Sequence, residues 1–421
     1  MFVAGEGYSA VFHAPPQSVD LVAKVREVSD AWLQIAGRRE RGFTLGEFRD
    51  AYIRDPSGTK IVDFARSNLH VVSYSQPVHA RLPLSELRTR LHSIPEHPEW
   101  IPYRTSYYNE TWGFCLAHAQ REALPDGEYE VVIDSTLADG HLSYAECLLP
   151  GESTDEVLLS CHVCHPSLCN DNLSGIALLT ELVRALQARS RRYSYRFLFI
   201  PGTIGSITWL AHNEQNVDRI RHGLVVTCVG DGGRFTYKKS RRGNADIDRA
   251  VLHVLATTTD DHEVIEFYPY GYDERQYCSP GFNLPVGSLS RSTHGRFVEY
   301  HTSADDLHLV QPAFLAESLE KYLAVIDVLE QDRVYVNTQP KCEPQLGRRG
   351  LYRAIGAAGN ARAHEMALLW VLNLSDGQHG LLDIAERARV PFSDIARAAE
   401  ALQQAGLLLE QKPKATTPVD R

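Results

Sequence analysis

The chain has 421 residues, 43% of them hydrophobic, and a formal net charge of −10. That length holds two or three domains with a sizeable core, and the negative balance argues against a general nucleic-acid binder. No apolar run is long enough to span a bilayer, and the N-terminus MFVAGEGYSAVFHAPP lacks a charged region followed by an apolar one, so a soluble, cytoplasmic protein with no membrane partner is expected.

In chain order, VDLVAKVREVSDAWLQIA has apolar residues at helical spacing and TLGEFRDAYI opens on a threonine cap, so residues from about 18 to 53 are expected to be helical. From Lys60 to Leu149 the pattern changes to short alternating segments: KIVDF, LHVVSYS, YEVVIDS and LSYAECLL are predicted strands of a small β-rich module. Within it, IPYRTSYYNETWGF is dense in aromatics that either line a pocket or pack a β core. After Pro150, strands alternate with helices (EVLLS, YRFLFIP, GLVVTCVG, VIEFYP and LPVGSL against SITWLAHNE and AFLAESLEKYLAVIDVLEQ), which predicts a mixed, mostly parallel α/β sheet with helices on both faces. The basic runs RSRRYSYR and KKSRRG read as solvated turns. From about Ala361 three helical segments follow, the last two joined by the short turn RVP, as in a winged helix-turn-helix. Its candidate recognition helix carries Asp394, Glu400 and only Arg397, which favours protein contact or packing over DNA. The tail QKPKATTPVDR is expected to be disordered.

One stretch concentrates chemistry: EVLLSCHVCHPSLCNDNLSGIALLTELVRAL joins a buried strand to an amphipathic helix whose first turn Asn172 or Ser174 can cap. Between them lie His162, Cys164, His165, Cys169 and Asp171. Such a loop sits at the carboxyl ends of the strands, where ligands collect in open α/β sheets. Imidazole with carboxylate suits zinc; the alternative is a polar loop with buried structural thiols. The other cysteines, such as Cys115, Cys147 and Cys228, lie in apolar runs and read as reduced thiols.

HVCHPSLCNDNLSG, FLFIPGTIGS, CVGD and EYHTSADDL, in that order, resemble the zinc exopeptidase (aminopeptidase) superfamily. More closely, the chain resembles a bacterial aminopeptidase-like family with an inserted β-rich domain and a C-terminal winged helix, over about residues 45 to 410. The resemblance implies an N-terminal helical part of the exopeptidase-like domain at 1–59, the β-rich insert at 60–150, the α/β domain at 151–345 and the winged helix at 360–411. It also implies Zn2+ ligands: His162 matches the first zinc histidine, Asp171 the bridging aspartate and His301 the last histidine. His165 is a further ligand or a side chain that hydrogen-bonds one. Asp231 lies near where exopeptidases supply another carboxylate, or caps a turn.

The chain departs from this family where an aspartate usually orients the first histidine, here Cys164, and where two adjacent glutamates usually supply a base and a ligand, here Gly202 and Thr203. A single zinc held by His162 or His165, Asp171 and His301 is therefore expected, with Glu299 or Glu274 as substitute base. Glu299 reaches the same face as His301 if that segment is extended; otherwise it orients a ligand, and Asp273 pairs with Arg275. Asp305 and Asp306 are expected to cap the next segment, and Tyr300 to line the pocket. The expected function is that of a zinc-dependent, aminopeptidase-like hydrolase of a peptide or amide small molecule, with no nucleic-acid partner and self-association left open. The alternatives are a non-hydrolytic zinc enzyme of cyclisation or amide formation, and a ligand-binding protein that has lost hydrolysis.

Overall fold

A computed structural model describes residues 44–411 apart from 107–108, 140–141, 143, 166–167, 259–260 and 353–357. The helix expected through 18–43 and most of the C-terminal tail lie outside the described residues. TLGEFRDAYI is not a helix but most of a strand, β1 (Thr44–Arg54). Its Ala51 and Ile53 are buried while Tyr52 and Arg54 are only half-buried, a period of two that outweighs the helical spacing read from sequence. β1 forms a four-stranded sheet with β2 (Lys60–Asp63), β3 (Val78–Pro83) and β4 (Glu128–Asp139), in the order β2-β1-β4-β3 and antiparallel throughout. Val62, Leu87, Phe114, Tyr129, Val131 and Ile133 fill its core. LHVVSYS makes no full strand: Asn68–His70 is a single 3-10 turn, and Val71 and Ser73 make isolated bridges.

The chain divides into two units, residues 1–243 with 265–319 and residues 244–264 with 320–421. In the first, a mixed sheet carries the strand order β9-β10-β8-β6-β7-β5, where β5 is Ala145–Leu149, β6 Glu156–His162, β7 Ser194–Ile200, β8 Ile220–Val226, β9 Phe235–Lys238 and β10 Val286–Ser290. β6 pairs in parallel with both β7 and β8, which explains why all seven of its residues are buried. The segment LSYAECLL, expected in the insert, instead supplies β5, antiparallel to β7 at the edge of this sheet. Its Glu146 finds there the guanidinium of Arg196, which also holds Glu156. Helix α1 (Ser174–Gln187) buries Ile176, Leu179, Leu182, Val183 and Leu186, and α2 (Ile204–Asn213) follows β7. Leu158, Leu198, Trp209, Val225 and Val286 lie in one core between these elements; burying each such side chain is worth roughly 1.5–3 kcal/mol.

The second unit holds the winged helix: helices Ala358–Leu374, Leu381–Ala388 and Phe392–Gln404, with strands Asp376–Gly380 and Leu408–Glu410. Both strands pair with Val334–Asn337, so the module takes in a strand well ahead of the expected start at 360. Among the described residues, no helix is long and apolar enough to cross a membrane.

Candidate metal centre

Register places the first histidine. His162, the last residue of β6, pairs with Ile200, the last of β7, and the Val163 N–H donates to the Ile200 carbonyl at 2.8 Å. The carboxyl end of β6 therefore opens beside Pro201 and Gly202. From there the chain runs through Cys164 and His165 to Asp171, where a cis peptide joins Asp171 to Asn172 ahead of α1. Asn172 is buried and accepts the Gly175 N–H of the first helical turn at 3.3 Å, as expected of a cap. Ser174 instead donates to the Asn170 carbonyl.

Ligand atoms of His162, His165 and Asp171 lie within 4.8 Å of one another. His162 Nε2 is 2.7 Å from Asp171 Oδ1, and His165 Nε2 is 3.2 Å from Asp171 Oδ2. His301 comes from 130 residues further on and completes the group, its Nε2 standing 3.2 Å from both Asp171 Oδ2 and His165 Nε2. Burial alone would raise the Asp171 pKa, but the three imidazoles outweigh it and hold the carboxylate well below its usual range. Burial lowers the His162 pKa in turn, with Asp171 opposing. An ionised carboxylate beside a neutral imidazole is the protonation state a metal requires. Asp171 Oδ2 is buried and unsatisfied by hydrogen-bond geometry, although two ring nitrogens approach it. Nitrogen and oxygen lone pairs converging on a buried, unsatisfied carboxylate oxygen make a donor set that fits zinc.

His301 is held in this place by two devices. Its backbone is left-handed, φ 58°, within a run of turns from Phe297 to Ser303. The aromatic segment of the β-rich region grips that run: the Tyr103 N–H donates to the His301 carbonyl at 2.8 Å, and Ile101 and Ser303 exchange two further bonds. The Tyr103 ring lies 4.9 Å from that of His165 and 5.1 Å from that of His301, so this residue of IPYRTSYYNETWGF lines the site, while Trp112 and Phe114 of the same segment pack the β core. Tyr300 stacks on His301, ring centroids 3.9 Å apart. Asp305 was expected to cap the segment that follows; instead its carboxylate accepts the N–H groups of Asn170 and Asp171, fastening the metal loop to the loop of His301. Asp306 does cap its own turn, accepting the His308 N–H at 2.7 Å.

The other expected site residues fall outside the group. Both oxygens of Asp231 accept hydrogen bonds, from Asn170 Nδ2, the Gly233 N–H and Ser292, so it braces loops as a turn carboxylate beside the group. Glu274 is buried, bonded to Lys238 Nζ at 2.8 Å and to the Tyr272 N–H. Glu299 sits in the turns, not in an extended segment, so the argument that it shares a face with His301 fails. Asp273 bonds the Thr203 N–H at 2.7 Å and Ser206 Oγ at 2.8 Å rather than pairing with Arg275, and burial raises it to about 7. Tyr272, which sequence reading passed over, lies flat against His162 with ring centroids 3.9 Å apart. Its only sequence signal was its place in GYDERQ, next to Asp273.

Comparison with known proteins agrees with this architecture. A family model described as a domain of unknown function (DUF4910) matches residues 50–332, and one for a winged helix-turn-helix matches residues 333–410. A Clostridium acetobutylicum protein, provisionally named for polysaccharide biosynthesis with an aminopeptidase-like domain, is 52% identical over 360 residues, covering 86% of this chain and 83% of its own. A crystal structure of a provisionally named peptidase from the same species is similar with a TM-score of 0.85 and 47% identity, over 92% of this chain and 88% of that one. A zinc aminopeptidase from Bacillus subtilis shares the fold at a TM-score of 0.53 and 13% identity, over 73% of this chain and 85% of that one.

Proposed function

Because the chain belongs to the DUF4910 family, we propose that it is a zinc-dependent, aminopeptidase-like hydrolase acting on an amide bond of a small molecule. The observation that supports this reading is the convergence of His162, His165 and His301 on the buried Asp171 carboxylate. These four residues would hold the ion. When bound, zinc supplies a Lewis acid for a carbonyl oxygen and lowers the pKa of a bound water. Asp305 keeps the ligand loop in place, and Tyr103 and Tyr300 wall the site with aromatic faces. Aromatic faces suit apolar side chains or the apolar face of a sugar ring. The name of the Clostridium relative favours the latter, an amide-bearing glycan precursor.

A second reading has its own support. No carboxylate stands at 202 or 203, and Glu274 is held by Lys238, so the same ion could serve a reaction that needs carbonyl polarisation more than water activation, such as cyclisation or amide formation. The winged helix is read as a packing or protein-contact element, its Arg397 being paired with Asp394.

Elemental analysis of the purified chain tests the metal. About one zinc per chain is expected, lost in His301→Ala and Asp171→Ala, with chelator-sensitive turnover of aminoacyl amides if hydrolysis is the activity. A metal-free chain that fails to take up zinc would end both readings; zinc without turnover of any amide would favour the second.

A further inference from the structure

The start of α2 is backed by the loop that carries Tyr272 and Asp273, which packs in the same core as Trp209 and Leu210. Asp273 accepts the Thr203 N–H and Ser206 Oγ at that helix start, and Glu274, clamped by Lys238, accepts the Tyr272 N–H at 3.1 and 3.2 Å. Held by its own N–H and by the next residue, Tyr272 lays its ring over His162 and brings its hydroxyl beside Gly202, within hydrogen-bond reach of the Cys164 thiol. A Cβ built on Gly202 would meet Tyr272 Cε1 at 3.0 Å, Tyr272 Oη at 3.3 Å and Cys164 Sγ at 3.4 Å. The room that a side chain at 202 would need is therefore filled by a phenol.

We propose that Tyr272 is the hydrogen-bond donor of this site to its substrate, and that Gly202 is there to admit it. This rests on the metal reading above and deepens it by naming the feature of the substrate that the site recognises. A tyrosine hydroxyl carries an O–H that can donate. It stabilises an oxygen on which negative charge develops, and it does not take a proton from water as a carboxylate would. The substrate is accordingly a carbonyl compound whose oxygen becomes anionic beside His162, and the machinery at Gly202 acts on that oxygen rather than on the attacking group.

The test uses the zinc-loaded full chain and inorganic phosphate, a tetrahedral oxyanion, titrated calorimetrically with zinc content measured alongside. Tyr272→Phe is expected to keep its zinc and to bind phosphate about tenfold more weakly or worse, the loss of one hydrogen bond to a charged group. Unchanged phosphate affinity with zinc intact, or no phosphate binding to the parent chain, would overturn the role of Tyr272. Absence of zinc from the parent chain would instead overturn the metal reading. Gly202→Ala keeps the proposal open to refutation should Tyr272→Phe fold poorly: its new Cβ would stand 3.0 Å from the ring and 3.3 Å from the hydroxyl, so the phenol must give by a few tenths of an ångström and phosphate is expected to bind more weakly, though by less than in Tyr272→Phe. In the double variant the loss should match that of Tyr272→Phe rather than multiply, because both act on the same contact; independent, multiplying losses would count against it.

Discussion

Two strand-to-helix junctions lie side by side at the carboxyl end of the same sheet, and their contents are opposite. The one after β6 gathers His162, His165 and Asp171 within a few residues. The one after β7 reads Pro201, Gly202, Thr203 and contributes backbone only, its side-chain groups arriving from Tyr272, Asp273 and Glu274 some seventy residues later. The difference teaches that three of the four clustered donor residues are encoded locally, with His301 arriving from 130 residues on, whereas Tyr272 and Asp273, which back Gly202 and Thr203, are supplied by a distant loop. A local motif can therefore stay intact while the chemistry beside it is rebuilt.

The sharpest way to break this comparison is to free the distant loop. Glu274→Ala strands the buried Lys238 ammonium without its carboxylate, and removing one partner of a buried pair costs about 3–5 kcal/mol. Denaturant unfolding should show that loss, and a change under about 1 kcal/mol would mean that the Tyr272 loop is not held by this pair. Next in size is a pH effect at Asp273. Its pKa is raised from 3.8 to about 7 in the folded chain, with burial as the cause, so between those values the unfolded chain has released a proton that the folded chain retains. Stability should fall as pH rises through that window and level off above about 7, by on the order of 4 kcal/mol from this group. Asp273→Asn keeps the acceptor oxygen for Thr203 and should flatten that fall; an unchanged Tm-against-pH profile would remove Asp273 as its source. The smallest effect concerns the first junction. Asp305→Ala leaves the Asn170 and Asp171 N–H groups without their acceptor, a cost of about 1–3 kcal/mol, and should weaken zinc uptake in a competition titration. Full zinc affinity there would show that the ligand loop orders itself.

Much of the first junction was legible beforehand because its residues are neighbours in sequence. The apolar run ending at His162, the cluster as far as Asp171 and the helix from Ser174 follow from spacing and side-chain chemistry, and His301 from its motif. The partners of Glu274 and Asp231 were not legible, because what claims a carboxylate is decided by residues such as Lys238 and Ser292 that are remote in sequence. Glu299 misled because an extended segment was assumed where the backbone turns through a left-handed His301. TLGEFRDAYI misled because its apolar residues satisfy both periods, and the choice fell to β4, whose twelve residues offered a partner along the whole length of β1.

By itself the sequence determined an α/β chain with a winged helix at its end, and it singled out His162, His165, Asp171 and His301 as the residues to look for together, since hydrophobic period and donor chemistry are properties of short segments. Only the tertiary structure decided that Asp305 fastens the ligand loop, that Tyr103 reaches in from the β-rich sheet, and that Tyr272 fills the space beside Gly202. Those contacts join segments far apart in the chain. Each is settled by which buried N–H, carboxylate or ring finds a partner once the strands are in register, and that competition is resolved only in the folded chain.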